Sequence, residues 1–349
     1  TMKFNNYHSR RSFLGTTATV VAGLSLTGPA VFGSPTYIPN LFNPNFSSNG
    51  VRLGVISYSF REMADQSAEA MLQYVRDCGL NAVELMGETA ESFLGRPLDK
   101  TDHESFHRLS RKKRKKKITD EERKILADLI LQQESYDKES EQWRNKVSIA
   151  DYAKLHKMYN DAGVSIYAFK PNYLLGKGNS DSNINYAMQV GKILGASHVT
   201  LELPRKPEHS LKLGQLAEKN GIYVAYHGHE QQNPTWWDTA LSQSPNNAIN
   251  LDLGHYVAAG NPDPLELIKD KQQHILSIHI KDRQNPANGK KNVPFGRGDT
   301  PIKEVLQLMR DQKYTFPATI EYEYKTPAGS TIINEIKKSV AYCKDALES

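Results

Sequence analysis

Histidines and carboxylates recur near the ends of short apolar runs: His227 and His229 in IYVAYHGH (222–229), Asp252 and His255 in AINLDLGH (248–255). His279, Lys281 and Asp282 close ILSIHIKD (275–282), and Glu321 and Glu323 lie in ATIEYEY (318–324). Glu84 in NAVELM (81–86) and Glu202 in SHVTLELP (197–204) extend the series. Residues two apart on a strand share a face, so His227/His229, His279/Lys281 and Glu321/Glu323 each point one way. Four such runs side by side aim His, Asp, His and Glu at one point. A mixed nitrogen and oxygen shell suits Mn²⁺, Co²⁺, Zn²⁺ or Fe²⁺, whereas Mg²⁺ prefers oxygens. Burying several carboxylates without a cation is costly, so the group signals more than any one member. The chemistry open to such a centre is polarisation of a carbonyl and acidification of the neighbouring C–H.

These runs belong to a longer pattern. With VRLGVISYSF (51–60) and VSIYAFKP (164–171) they make eight strand candidates. Amphipathic stretches such as SAEAMLQYVRDCG and INYAMQVGKILGA lie between them. Gly79, Gly163, Gly195 and Gly221 stand just before strands, where a helix-ending glycine belongs. Eight strands alternating with helices predict an α/β fold, a (β/α)8 TIM barrel over residues 51–349, with reactive groups at the C-terminal strand ends. A doubly wound open sheet is the second reading, but no glycine-rich phosphate loop follows the first strand. Residues 88–150 are too long for an ordinary connection and read as a helical insertion between strands two and three. It carries RKKRKKK (111–117) and then TDEERKILADLILQQ. The basic run is either a solvated helix face or a contact for an acidic partner such as an anionic glycan or membrane surface.

The 349 residues carry a formal net charge of +5. Removing the seven positive charges of 111–117 leaves −2, so no basic footprint for nucleic acid spreads over the body. No apolar run reaches the ~18 residues of a membrane span. The two cysteines, Cys78 and Cys343, exclude a disulfide-stapled miniprotein. They fall in the helices after strands one and eight. An oxidising compartment permits a disulfide there, but two unpaired buried thiols are the expected outcome. Arg10 and Arg11 precede Ser12, Phe13 and Leu14, then a modestly apolar stretch (17–26) and small residues at 28–34. The SRRSFLG segment resembles a twin-arginine export signal. That assigns 1–34 to a signal peptide and 35–50 to a linker, and predicts a periplasmic or exported protein. The resemblance implies export in the folded state, which fits a metalloprotein.

AYHGH, NLDLGH, SIHIKD, FGRGD and TIEYE, in that order, resemble the xylose-isomerase-like barrel superfamily of sugar isomerases and epimerases, which also contains the endonuclease IV type. The resemblance covers about residues 51–345. It implies one divalent metal ion held by strands five to eight, with Asp252, His279 and Glu321 at the family's strand-six, -seven and -eight ligand positions. His255 matches a histidine that contacts substrate. The family's strand-five glutamate is here His227. The fourth ligand is therefore Glu202, His227 or Glu230, with Glu202 preferred because it preserves the charge of the site. Glu321, His229, His255 and Lys281 are the catalytic candidates, Lys281 as a polarising cation. Glu84, His227 and Arg297 of the GRGD loop are the substrate-binding candidates. The expected activity is metal-dependent proton abstraction next to a sugar carbonyl, giving isomerisation or epimerisation. Loss of a β-oxygen after the same first step gives the alternative, a lyase or hydratase acting on 3-keto-glycosides. The partner is a small-molecule sugar or glycoside, with self-assembly into a homo-oligomer left open. An endonuclease needs three metals and ligands from strand three, where AFKPN offers none. A degenerate, non-catalytic sugar-binding barrel is the remaining class.

Overall fold

The computed structural model describes residues 48–349; the segments read as signal peptide and most of the linker lie outside them. Eight strands form a closed parallel barrel: β1 (Leu53–Ile56), β2 (Ala82–Met86), β3 (Ser165–Lys170), β4 (His198–Glu202), β5 (Tyr223–His227), β6 (Asn247–Asp252), β7 (Ile275–Ile280) and β8 (Ala318–Ile320). Each pairs with its sequence neighbours, and β1 closes the ring on β8 through Leu53–Ala318 and Val55–Ile320. The expected barrel is therefore the observed one.

Helices cover the outside. They include α1 (Ala68–Asp77), α2 (Gly87–Phe93), α3 (His103–Arg114), α4 (Asp120–Arg144), α5 (Tyr152–Asp161), α6 (Asp181–Ile193) and α7 (Pro207–Asn220). Further along come α8 (Leu253–Ala258), α9 (Pro264–Lys271), α10 (Ile302–Asp311) and α11 (Ile332–Glu348). In α10 the buried residues Ile302, Val305, Leu306 and Met309 fall at i, i+3, i+4 and i+7, the spacing of one helix face turned to the sheet. Gly79, Gly163, Gly195 and Gly221 all have positive φ, which lets the chain leave a helix and enter the next strand.

The insertion is helical. Thr119 caps α4 in a capping box with Glu122, and Leu109, Ile118, Leu126 and Leu129 form a small core between α3 and α4. The basic run occupies the last turn of α3 and the following loop. Cations there complement the helix dipole, and all but the half-buried Lys112 are exposed. Cys78 and Cys343 are both buried and free.

The barrel interior is polar rather than aliphatic on its way to the C-terminal mouth. His198 Nε2 and Asn250 Nδ2 meet Ser277 Oγ at 3.0 and 2.7 Å, and Thr200 Oγ1 donates to Glu84 Oε1 at 2.6 Å. These side chains are buried, and their pairing across the barrel satisfies groups that would otherwise be costly. They form the floor on which the site stands.

Candidate functional site

His279 projects from β7 between two carboxylates. Its Nε2 lies 2.7 Å from Glu84 Oε2 and its Nδ1 lies 2.9 Å from Glu321 Oε2. Burial alone would lower the imidazole pKa, but Glu84 and Glu321 raise it to about 10. Burial likewise opposes ionisation of Glu84, yet His279 brings that carboxyl down to about 2. Glu84 thus fixes the far nitrogen of His279 and leaves Nδ1 facing the mouth, the arrangement by which an outer carboxylate orients a metal-binding imidazole.

On β5, His227 Nδ1 lies 2.8 Å from Asn250 Oδ1. The amide oxygen accepts, so the proton is on Nδ1 and Nε2 keeps its lone pair. Burial, reinforced by Lys170, holds this imidazole neutral with a pKa well below the ordinary range. Its Nε2 lies 3.8 Å from Asp252 Oδ2. Asp252 ends β6 and caps α8, its Oδ1 accepting from His255 N at 2.7 Å. Its Oδ2 is buried and is paired with the Lys281 ammonium, 3.1 Å away. One donor atom from each of His227, Asp252, His279 and Glu321 falls within 4.8 Å of the others. Two imidazole nitrogens and two carboxylate oxygens fit a divalent transition metal. The free His227 Nε2 is what such an ion would satisfy, and Asp252 Oδ2, whose cationic neighbour is Lys281, is the oxygen it would share.

Lys281 supplies a resident positive charge. Its Nζ lies 3.1 Å from Asp252 Oδ2, 2.9 Å from Glu321 Oε2 and 2.7 Å from Glu323 Oε2. Burial opposes its charge, but Asp252, Glu321 and Glu323 together raise its pKa above the usual lysine value. Glu323 gives the ammonium an anchor outside the four-donor group.

Three more groups sit at the rim. His229 is exposed and its Nδ1 lies 3.2 Å from Glu202 Oε2, which raises its pKa despite partial burial. His255 stacks edge-on against His229 with ring centroids 4.6 Å apart. Arg283 donates to His255 Nδ1, and burial followed by the Lys281 charge lowers the His255 pKa to about 3. Lys170, buried at the end of β3, lies 3.7 Å from Glu202 Oε1.

The expected site residues therefore gather, with a change of membership. The four-donor group contains His227, whereas Glu202 turns to His229 and Lys170; Glu202, His227 and His229 form a second group. The preference for Glu202 rested on charge, but β5 adjoins β6 and β4 does not, so His227 is the residue within reach of Asp252. Glu230 faces away, bound to Arg283 and Lys290. Arg297 is exposed; its backbone N–H, with those of Gly298 and Thr300, donates to Asp282. The GRGD loop is thus tied by Asp282 to the segment that follows β7. Sequence reasoning missed Lys170, Asn250 and Arg283. A lysine closing the apolar run SIYAFK was the one visible signal for the first.

A closed parallel barrel with its polar side chains gathered at the C-terminal mouth defines a (β/α)8 barrel of the kind that carries a reaction centre there. A model of the family described as xylose isomerase-like TIM barrel matches residues 72–346, and the chain belongs to that family. Inosose dehydratases of Clostridium perfringens are 26% identical over 155 residues, covering 38% of this chain and 51% of theirs. The inosose dehydratase of Clostridium botulinum is 36% identical over 76 residues, 20% of this chain and 25% of its own. The chain thus spans about half, or less, of the curated relatives it matches. Among solved structures, a sugar phosphate isomerase/epimerase from Parabacteroides distasonis superposes with a TM-score of 0.53 at 17% identity, covering 89% of this chain and 97% of that one. A probable 3-DHS dehydratase from Bacillus anthracis gives 0.55 at 14%, covering 83% and 99%. An L-ribulose 3-epimerase gives 0.54 at 13%, covering 85% and 95%. At these identities the likeness is one of fold.

Proposed function

We propose that the protein is a divalent-metal-dependent enzyme that removes a proton next to a sugar carbonyl, acting as an isomerase or epimerase. His227 Nε2, Asp252 Oδ2, His279 Nδ1 and Glu321 Oε2 would hold the ion. The observation that carries this reading is the convergence of one donor atom from each of these four buried side chains within 4.8 Å. Bound there, a divalent ion supplies Lewis acidity to a substrate carbonyl.

The remaining roles belong to the chain. Glu84 keeps the His279 ring in one orientation. Lys281, anchored on Glu323, offers an N–H donor to an oxygen that gains negative charge. His229, paired with Glu202 and open to solvent, carries a proton between substrate and water, and Glu321 is the other candidate base. His255 accepts from Arg283 at Nδ1, so its Nε2–H is free to donate to a substrate hydroxyl.

A lyase or hydratase acting on keto-sugars or 3-keto-glycosides shares the first step. It gains support from the dehydratase names of the curated relatives and from the His229–Glu202 pair, which can hand a proton to a departing oxygen. The twin-arginine-like segment supports an exported protein, which would meet free sugars and glycosides rather than sugar phosphates. Changing Arg10 and Arg11 to lysine together should then retain the protein in the cytoplasm.

The test is product NMR in D₂O with Mn²⁺- or Co²⁺-loaded protein and a panel of ketoses, aldoses and 3-keto-glycosides. Deuterium beside a carbonyl with the skeleton intact supports isomerisation or epimerisation. An unsaturated product supports the lyase. Protein that takes up no metal and exchanges no proton is a binding module.

A further inference from the structure

The insertion does more than lengthen a connection. A half-open cavity of about 980 Å³ lies between it and the barrel, on the same C-terminal side as the four-donor group. Ser57 after β1, Met86 at the end of β2 and Tyr173 after β3 line it from below; Tyr136 and Arg144 of α4 line it from the insertion. Its size is at the upper end of small-ligand sites, more than one sugar ring needs.

One wall is a rigid polar cluster built on Glu91 of α2, whose side chain is fully buried. Glu91 accepts from Arg144 Nε at 2.6 Å and Nη2 at 3.0 Å and from Tyr173 Oη at 2.7 Å, while Arg96 Nη1 lies 3.2 Å away. The Arg96 guanidinium stacks 5.0 Å from the Tyr136 centroid and 4.7 Å from that of Tyr173. The Arg96 side chain is only 10% exposed, yet its Nε is buried and has no partner. The cluster thus sets two guanidinium groups and two phenol rings as a fixed wall of the cavity.

The position fixes how this space relates to the reaction centre. Met86 lies two residues beyond Glu84 on β2, on the same face and about 6.6 Å further along the strand. Glu84 in turn bonds His279. The cavity therefore begins at the end of the strand whose Glu84 bonds one of the four donors. Five acidic side chains, Glu88, Asp99, Glu134, Asp137 and Glu141, line it with four basic ones, Arg61, Arg96, Lys138 and Arg144, so its charges nearly cancel. Balanced charged groups fixed among tyrosine rings suit hydroxyls on a neutral ring better than a charged group.

We propose that this cavity is a subsite for a second, neutral sugar ring, so that the substrate is a glycoside of at least two rings rather than a free monosaccharide. The inference rests on the sugar-directed reading above and names its substrate class. The probes are cellobiose and methyl β-glucopyranoside, titrated into the full chain by isothermal calorimetry, with a cellobiose-soaked crystal alongside. Cellobiose should bind at least tenfold more tightly, with its second ring in this cavity. The margin should collapse in Tyr136→Ala and in Arg96→Gln, two variants on different elements whose folding is checked by melting temperature. Equal binding of the probes, no binding of either, a margin that survives both variants, or a second ring seated elsewhere overturns the proposal. Deuterium exchange is read separately: cellobiose bound in the cavity with no exchange on any keto-sugar refutes the enzymatic reading and leaves the subsite standing.

Discussion

Glu84→Gln isolates the charge behind His279. The substitution keeps the shape of a buried side chain that touches His279, Thr200 and Asn250, and its amide oxygen can still accept from His279 Nε2. What it removes is the negative charge that raises the pKa of His279 and makes its Nδ1 more basic. Loss of such an outer carboxylate weakens metal binding by about 10- to 100-fold, which is about 1.4 to 2.7 kcal/mol. Competition between the apoprotein and a fluorescent chelator for Mn²⁺ or Co²⁺ at fixed pH measures this directly. Circular dichroism establishes that the barrel is intact. An unchanged affinity in folded Glu84→Gln protein would refute the reasoning, because it would mean that the Nδ1 of His279 is not a donor to the ion.

Other outcomes follow from the same structure. Buried His198 is held neutral between Ser197 and Ser277, its pKa lowered by burial to about 4 from an ordinary 6.5. The unfolded chain binds a proton there first, so stability is present above pH 6.5 and is lost as pH falls towards 4, by on the order of 3 kcal/mol. Urea denaturation at several pH values should show this loss, and His198→Gln should flatten the slope. Arg144→Met strands the fully buried Glu91 carboxylate with Arg96 as its one remaining cation, and should destabilise the protein by about 3 kcal/mol or more, read as an earlier urea midpoint. Burial pushes the Cys78 thiol up to about 12 and raises that of Cys343 as well, so neither should react with a thiol reagent until the protein is denatured, when two should titrate.

The barrel was legible because its strands announce themselves by short β-rich runs, and β2 to β5 a second time by the glycine that lets the preceding helix end. The strand ends were less legible. HGH after Tyr226, LGH after Asp252 and EYEY after Ile320 keep an alternating pattern, but the ladders stop at His227, Asp252 and Ile320. There the chain turns out of the barrel to present its site residues. Alternation placed His279 with Lys281 and Glu321 with Glu323 correctly, since each pair meets at Lys281 or the donor group. It could not show that Glu84 meets His279 across 195 positions, because that contact exists only once the ring closes. Nor could it rank His227 above Glu202: the ranking depends on which strand adjoins β6 and on the Asn250 amide that fixes the His227 tautomer. Lys170 was overlooked because a lysine at a strand end reads as solvated, whereas this one is buried beside Glu202.

The most direct test is a crystal of Mn²⁺-soaked protein with anomalous difference maps collected at the manganese edge. The account predicts one strong peak bonded to His227 Nε2, Asp252 Oδ2, His279 Nδ1 and Glu321, with Lys281 still on Glu323. A peak held instead by Glu202 and His229, or no peak while Lys281 keeps its place between Asp252 and Glu321, would contradict it.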